Sequence, residues 1–193
     1  MEFRDTWHHV LVGLGGNLSS PVGAPAETLS AAIEYLSFNG LKNIEVSPLY
    51  QTAPIPASGQ PDFINCALKA ETKLTATSLL ALFQSTEKRL GRQEGERWSA
   101  RTLDIDLLAY DQSVFPDKES WYSVANHVDP AAFLEEPVVP HPRLHKRGFV
   151  LMPLMGVAPD WEHPVLGNRV ATMIKDDDIQ SQLTSITKVS ANS

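Results

Sequence analysis

Apolar positions along the chain change period several times, and each change marks an element. His9 to Leu14 ("HVLVGL") is a short apolar run stopped by Gly15 and Gly16, which predicts a first strand turning tightly into a loop. Leu29, Ala32, Ile33 and Leu36 then recur at helical spacing from about Pro25 to Phe38, with Gly40 as the stop. Asn43 to Thr52 predicts a strand, which Pro48 confines to an edge or a bulge. Pro54, Pro56, Gly59 and Pro61 make 53–62 a turn-rich loop. Phe63 to Thr72 predicts a third strand, and Thr75 caps a helix running to about Leu90. Its buried stripe is Leu79, Leu82, Phe83, Thr86 and Leu90. Lys88, Arg89 and Gly91 suit its C-terminal end. "LDIDLL", from Leu103, is the fourth strand. The order β-α-β-β-α-β predicts an α+β fold of ferredoxin-like type, an antiparallel sheet with both helices on one face and extra C-terminal elements. The other face of the sheet, or its rim, is then left to the loops.

The rest of the chain is less periodic. Residues 111–137 carry mixed charge and no clean period, so they are expected to form an extended excursion with one helical turn. "VVPHPRLHKRGFVLMPL" gives a Pro-bounded basic turn and an apolar segment that closes the core. From about Ser181 the chain is polar and rich in Ser and Thr, which predicts a frayed tail over 181–193. No repeat or second domain is visible, and one domain over 1–193 is expected, with its core at about 9–175.

The fourth strand poses a chemical question. Asp104 and Asp106 alternate with Leu103, Ile105 and Leu107, so both carboxylates share one face of the strand. Roughly 6.5 Å apart at an effective dielectric near 20, two such charges repel by about 2.5 kcal/mol. A bare D-x-D is by default a solvated polar face, but "ERWSAR" just upstream adds Arg97, Trp98 and Arg101. Two hard oxygen ligands beside guanidinium groups suit Mg²⁺ and the phosphates of a nucleoside triphosphate.

Composition narrows the partners. A formal charge of -7 argues against a general nucleic-acid binder. No run approaches the roughly 18 apolar residues of a membrane span, and the first residues lack an export pattern. The single cysteine, Cys66, lies in the apolar run "FINCALKA", reads as a small buried hydrophobe and fits a reducing cytoplasm. A monomer or weak dimer is expected.

"GLGGN" fails the dinucleotide fingerprint, because its third glycine would fall at Leu18, and no P-loop is present. His127, His141, His145 and His163 lack acidic or cysteine partners at ligand spacing and are expected to be solvated loop residues. Arg143, Lys146 and Arg147 form a cation cluster that suits a solvated turn or a polyphosphate contact. Phe63 and Asn65 share a strand face and could present a ring and a carboxamide to a flat heterocycle, or simply pack in the core.

Together, "GLGGNL", "YQTAPI…GQPDFINCAL", "RWSARTLDIDLL" and "VPHPRLHKRGFVLMPL", in this order over about His9 to Asp160, resemble the 6-hydroxymethyl-7,8-dihydropterin pyrophosphokinase family of the folate pathway. The resemblance implies a ferredoxin-like fold and transfer of the β,γ-pyrophosphoryl group of ATP to the pterin's primary alcohol, releasing AMP. It implies that Asp104 and Asp106 hold two Mg²⁺ ions and that Arg97 and Arg101 stabilise phosphate charge. Gln84, Glu87, Trp98, Leu107, His141 and Arg147 match further ATP positions. The pterin is expected between Phe63 and Phe149, with Trp98 beside the substrates and Asn65 and the backbone around Thr52 and Ile55 reading its edge.

The chain departs from the family pattern in places. Gly16 stands where Ser is usual, Phe63 replaces a frequent Tyr, Glu94 replaces a basic residue, and the 111–137 excursion is longer. The competing reading is a non-catalytic ferredoxin-like module that binds pterin or nucleotide. An RNA platform and a D-x-D glycosyltransferase fit less well, for want of a basic surface and of a doubly wound pattern respectively.

Overall fold

The computed structural model describes residues 3–54, 57–93, 99–127 and 137–190. It contains strands β1 (Phe3–Gly16), β2 (Leu41–Val46), β3 (Tyr50–Thr52), β4 (Phe63–Leu74), β5 (Asp104–Tyr110) and β6 (Ile186–Lys188). The helices are α1 (Pro25–Asn39), α2 (Ala76–Arg89), α3 (Lys118–Ala125), α4 (Gly148–Met155), α5 (Val170–Met173) and α6 (Asp177–Leu183). The strands lie in the order β5-β1-β4-β3-β6 with β2 also on β4, and every pairing is antiparallel. The protein is therefore α+β, with helices packed on an antiparallel sheet. Among the described residues no helix is long and apolar enough to cross a membrane.

The first helices form where local chemistry directs them. Pro25 opens α1, and the Glu27 carboxylate accepts the Ala24 N–H at 2.7 Å. Thr75 Oγ1 accepts the Ser78 N–H at 3.2 Å to start α2. Leu29, Ala32 and Leu36 of α1 and Leu79, Leu82 and Phe83 of α2 meet Val10, Val12, Leu14, Cys66 and Leu68 on one sheet face.

Several expectations need correction. The strand expected over 43–52 is two strands, because Pro48 lacks the N–H a continuous ladder needs. The glycines of "GLGGN" do not form a turn: they lie in β1, which runs on to Gly16. They are there for close approach. A Cβ at Gly15 would fall 2.5 Å from Asn65 Oδ1, and one at Gly16 would fall 2.4 Å from the Thr102 carbonyl oxygen. Helices cover the second sheet face, and the loops are left its rim, where Pro54, Ser58, Gln60 and His141 line a cavity. On that face Leu11, Ala67 and Leu108 meet Val150, Leu151 and Leu154 of α4, with Val170, Met173 and Ile179 behind. The expected frayed tail instead supplies β6, paired with β3 from Tyr50↔Lys188 to Thr52↔Ile186.

The excursion after β5 carries the two-turn helix α3, capped by Asp117 Oδ1 accepting the Ser120 N–H at 2.9 Å. Trp121 anchors it, fully buried, with Nε1 donating to the Pro140 carbonyl at 2.6 Å. Trp121→Ala is expected to cost about 3–5 kcal/mol, read as a lower midpoint in urea unfolding. A change within about 0.5 kcal/mol would show that the anchor is dispensable.

Candidate active site

The alternation of β5 places Asp104, Asp106 and Leu108 on one face, and that of β4 does the same for Phe63, Asn65 and Ala67. Ala67 and Leu108 pack under α4, while the residues nearer the strand ends border a cavity of about 740 Å³. Twelve residues expected to serve the site line it: Thr52, Phe63, Asn65, Gln84, Glu87, Arg101, Asp104, Asp106, Leu107, His141, Arg147 and Phe149. The other three, Ile55, Arg97 and Trp98, lie outside the described residues, as does Glu94.

Charge is concentrated at the start of β5. Arg92 and Arg101 each hold one oxygen of Asp104 at 2.8 Å. Arg92 also pairs with Glu87, whose Oε1 accepts the Ile105 N–H at 2.7 Å. Burial is the largest influence on Arg92 and works against its charge; the Asp104 and Glu87 carboxylates outweigh it and raise the pKa. The Asp104 carboxyl is pushed up by burial and by the Asp106 charge, against the pull of the two arginines. No hydrogen bond from the described residues reaches the Asp106 carboxylate.

Burial pushes Glu87 up to about 7, more than Arg92 and the Ile105 N–H lower it. A carboxyl with a folded pKa above its unfolded value binds extra protons in the folded state between about 4.5 and about 7. Its stabilising contribution is therefore full below pH 4.5 and lost as pH rises through about 7. Glu87→Gln is expected to flatten that part of the stability curve by roughly 1–3 kcal/mol, measured by urea unfolding from pH 4.5 to 7.5. An unchanged slope would place the titration elsewhere.

On the other wall, Asn65 Nδ2 donates to Thr52 Oγ1 at 2.8 Å, and both side chains are buried. That bond orients the carboxamide in the space Gly15 leaves open. Arg147 lies over the Phe149 ring at 5.5 Å, and burial lowers its pKa. His141 is pushed down to about 3 by burial, then by Arg147 and Arg143, so it is neutral near pH 7. Its Nδ1 accepts the Arg143 N–H at 3.1 Å, which leaves the ring proton on Nε2. Cys66 also lines the cavity, but burial pushes its thiol up to about 12 and makes it a poor nucleophile.

A family model described as 7,8-dihydro-6-hydroxymethylpterin-pyrophosphokinase (HPPK) matches residues 11–159. The chain belongs to the HPPK family. It is 35% identical over 150 residues to the 2-amino-4-hydroxy-6-hydroxymethyldihydropteridine pyrophosphokinase of Methylorubrum extorquens, covering 77% of this chain and 82% of that one. It is 31% identical over 182 residues to the folic acid synthesis protein fol1 of Pneumocystis carinii, covering 93% of this chain but only 22% of that longer protein. The Plasmodium falciparum HPPK-DHPS structure with pteroate shares the fold at a TM-score of 0.63 and 14% identity, over 95% of this chain and 48% of that one.

Within this HPPK chain, sequence reasoning missed two residues of the charged wall and its support. Arg92 sits in the acidic stretch "GRQEGERW", where nothing local shows that it reaches Glu87 and Asp104. Asn17, the last residue of "GLGGN", is buried against Arg101 and the loop before β4. The basic cluster divides: Arg143 and Arg147 line the cavity, while Lys146 is exposed and donates to the Ala125 carbonyl at 2.6 Å. The histidines are not solvated as a group either. His163 is fully buried, and its Nδ1 accepts the Val165 and Leu166 N–H groups at 3.2 and 3.3 Å.

Proposed function

We propose that the chain transfers the pyrophosphoryl group of ATP to the hydroxymethyl group of 6-hydroxymethyl-7,8-dihydropterin, giving AMP and the pterin diphosphate. The observation that carries this reading is the meeting in one cavity of a carboxylate pair, guanidinium groups, an oriented carboxamide and the Phe63 and Phe149 side chains. The names of the relatives in the family support the same reaction.

Asp104 and Asp106 fit two Mg²⁺ ions by the chemistry of their donor set. Mg²⁺ is held by one or two carboxylates and completes its shell with water and phosphate oxygens, so a pair of aspartates facing a roomy cavity suffices. When bound, the ions would neutralise phosphate charge and orient the triphosphate. The chain's own residues supply the rest. Arg101 brings a guanidinium to the carboxylates, where the charge of the transferring group develops. Neutral His141 offers its Nε2 proton to a phosphate oxygen. Asn65 presents a carboxamide, fixed by Thr52, to the edge of the pterin. Phe63 and Phe149 supply ring faces, and Arg97, Trp98 and Ile55 complete the set in this reading. Glu87 acts as an anchor, since its carboxylate is engaged by Ile105 and Arg92.

The same reading takes the architecture as ferredoxin-like and the chain as a single domain. The order β5-β1-β4 with β2 and β3 both beside β4 supports it, if β2 and β3 count as one strand interrupted at Pro48.

Incubation with ATP, Mg²⁺ and the pterin, followed by chromatography, is expected to give one AMP per pterin diphosphate. Formation of ADP would contradict pyrophosphoryl transfer. Binding of both ligands with no product would favour the non-catalytic module.

A further inference from the structure

Asn17 is 4% exposed and contacts two separate walls of the cavity. Its Nδ2 donates to the Pro61 carbonyl at 3.0 Å and to Gln60 Oε1 at 3.3 Å. Its Oδ1 accepts the Arg101 N–H at 2.8 Å, and its own N–H donates to the Arg101 carbonyl at 2.9 Å. Leu18 N–H reaches the same carbonyl at 3.1 Å. Gly16 lets the chain lie flush against the Thr102 carbonyl, where a Cβ would fall 2.4 Å away. The end of β1 therefore grips the backbone of Arg101 from both sides and holds the loop before β4 through one carboxamide.

The two gripped segments face different parts of the cavity. Ser58 and Gln60 line it beside Thr52 and Phe63, on the side assigned to the pterin. Arg101 holds Asp104 on the side assigned to the phosphates. Neither segment is a helix or strand, so neither has a ladder of its own to fix it. An amide whose donor serves one segment and whose acceptor serves the other makes the position of each depend on the other.

We propose that Asn17 is a positioning residue that couples occupancy of the pterin side of the cavity to the placement of Arg101 on the phosphate side. This rests on the functional reading above. A ligand that orders the loop at 57–62 then also orders Arg101, so each substrate raises the affinity of the other by the same factor.

The test is titration calorimetry of 6-hydroxymethyl-7,8-dihydropterin into the intact chain, with and without Mg²⁺ and an ATP analogue carrying a methylene between the α and β phosphorus atoms. In the wild type the analogue is expected to tighten pterin binding by about fivefold or more, the usual range of linked sites. Asn17→Ala is expected to reduce that factor to near one. Asn17→Asp keeps an acceptor for the Arg101 N–H and loses the donor to Pro61, and it is expected to lose the coupling too. Thr75→Ala, which only uncaps α2, controls for general destabilisation and is expected to keep the full factor. Retention of the wild-type factor by a folded Asn17 variant would overturn the inference, as would an equal loss in Thr75→Ala or no coupling in the wild type. A wild type that binds neither ligand would overturn the functional reading as well.

Discussion

Asp106→Ala is expected to lower Mg²⁺-dependent AMP formation by about a thousandfold while leaving the fold intact, because several kcal/mol of charge stabilisation pass through the carboxylate pair. No arginine among the described residues lies within ion-pair distance of Asp106, and its charge acts on buried Arg147 only at longer range, so its removal costs less stability than that of Asp104. Asp104→Ala should lose as much activity and also stability, since Arg92 and Arg101 each donate to it at 2.8 Å. That extra cost is about 1–3 kcal/mol, moderated by a side chain still 33% exposed to the cavity. Kinetics and urea unfolding of the two variants separate these effects. Equal stability loss in both, or activity within tenfold of wild type, would contradict the assignment.

Arg101→Ala carries the next largest expected effect, a fall in kcat of about a thousandfold, the scale of an arginine that meets charge developing on a transferring phosphoryl group. The KM for ATP should change far less, because the contact strengthens as the transfer proceeds. Arg101→Lys should recover only part of the rate. A lysine cannot keep a fork that serves Asp104 Oδ2 and a phosphate together. Steady-state kinetics decide it: a rise in KM at constant kcat would make Arg101 a binding group only.

How much of this was legible in the sequence follows from where each signal lives. Period two carried the site's first clue, since it put Asp104 with Asp106 and Phe63 with Asn65 before any contact was known. Helical spacing and caps located α1 and α2. What stayed hidden depends on contacts distant in sequence. Glycines 15 and 16 look like turn formers until Asn65 and Thr102 are seen against them. Asn17 meets Arg101 across 84 positions, and no local pattern announces it. Arg92 serves Glu87 and Asp104 from an acidic stretch, so local charge pointed away from it. Histidines 141, 145 and 163 look soluble one by one, yet burial pushes them down to about 3, 4 and 4 respectively. The C-terminal strand was missed because Ile186 to Lys188 is short and polar and is held by pairing with β3.

One cavity at the rim of the sheet, bordered by both α2 and α4, is expected to hold the nucleotide, the metals and the pterin around Asp104 and Asp106. The most direct test is a crystal of the chain grown with Mn²⁺ in place of Mg²⁺, the methylene ATP analogue and the pterin. Anomalous scattering then locates the metal. Manganese bound to both carboxylates, with the pterin against Phe63 and Phe149, is the predicted result. Manganese and nucleotide bound away from Asp104 and Asp106 would contradict it.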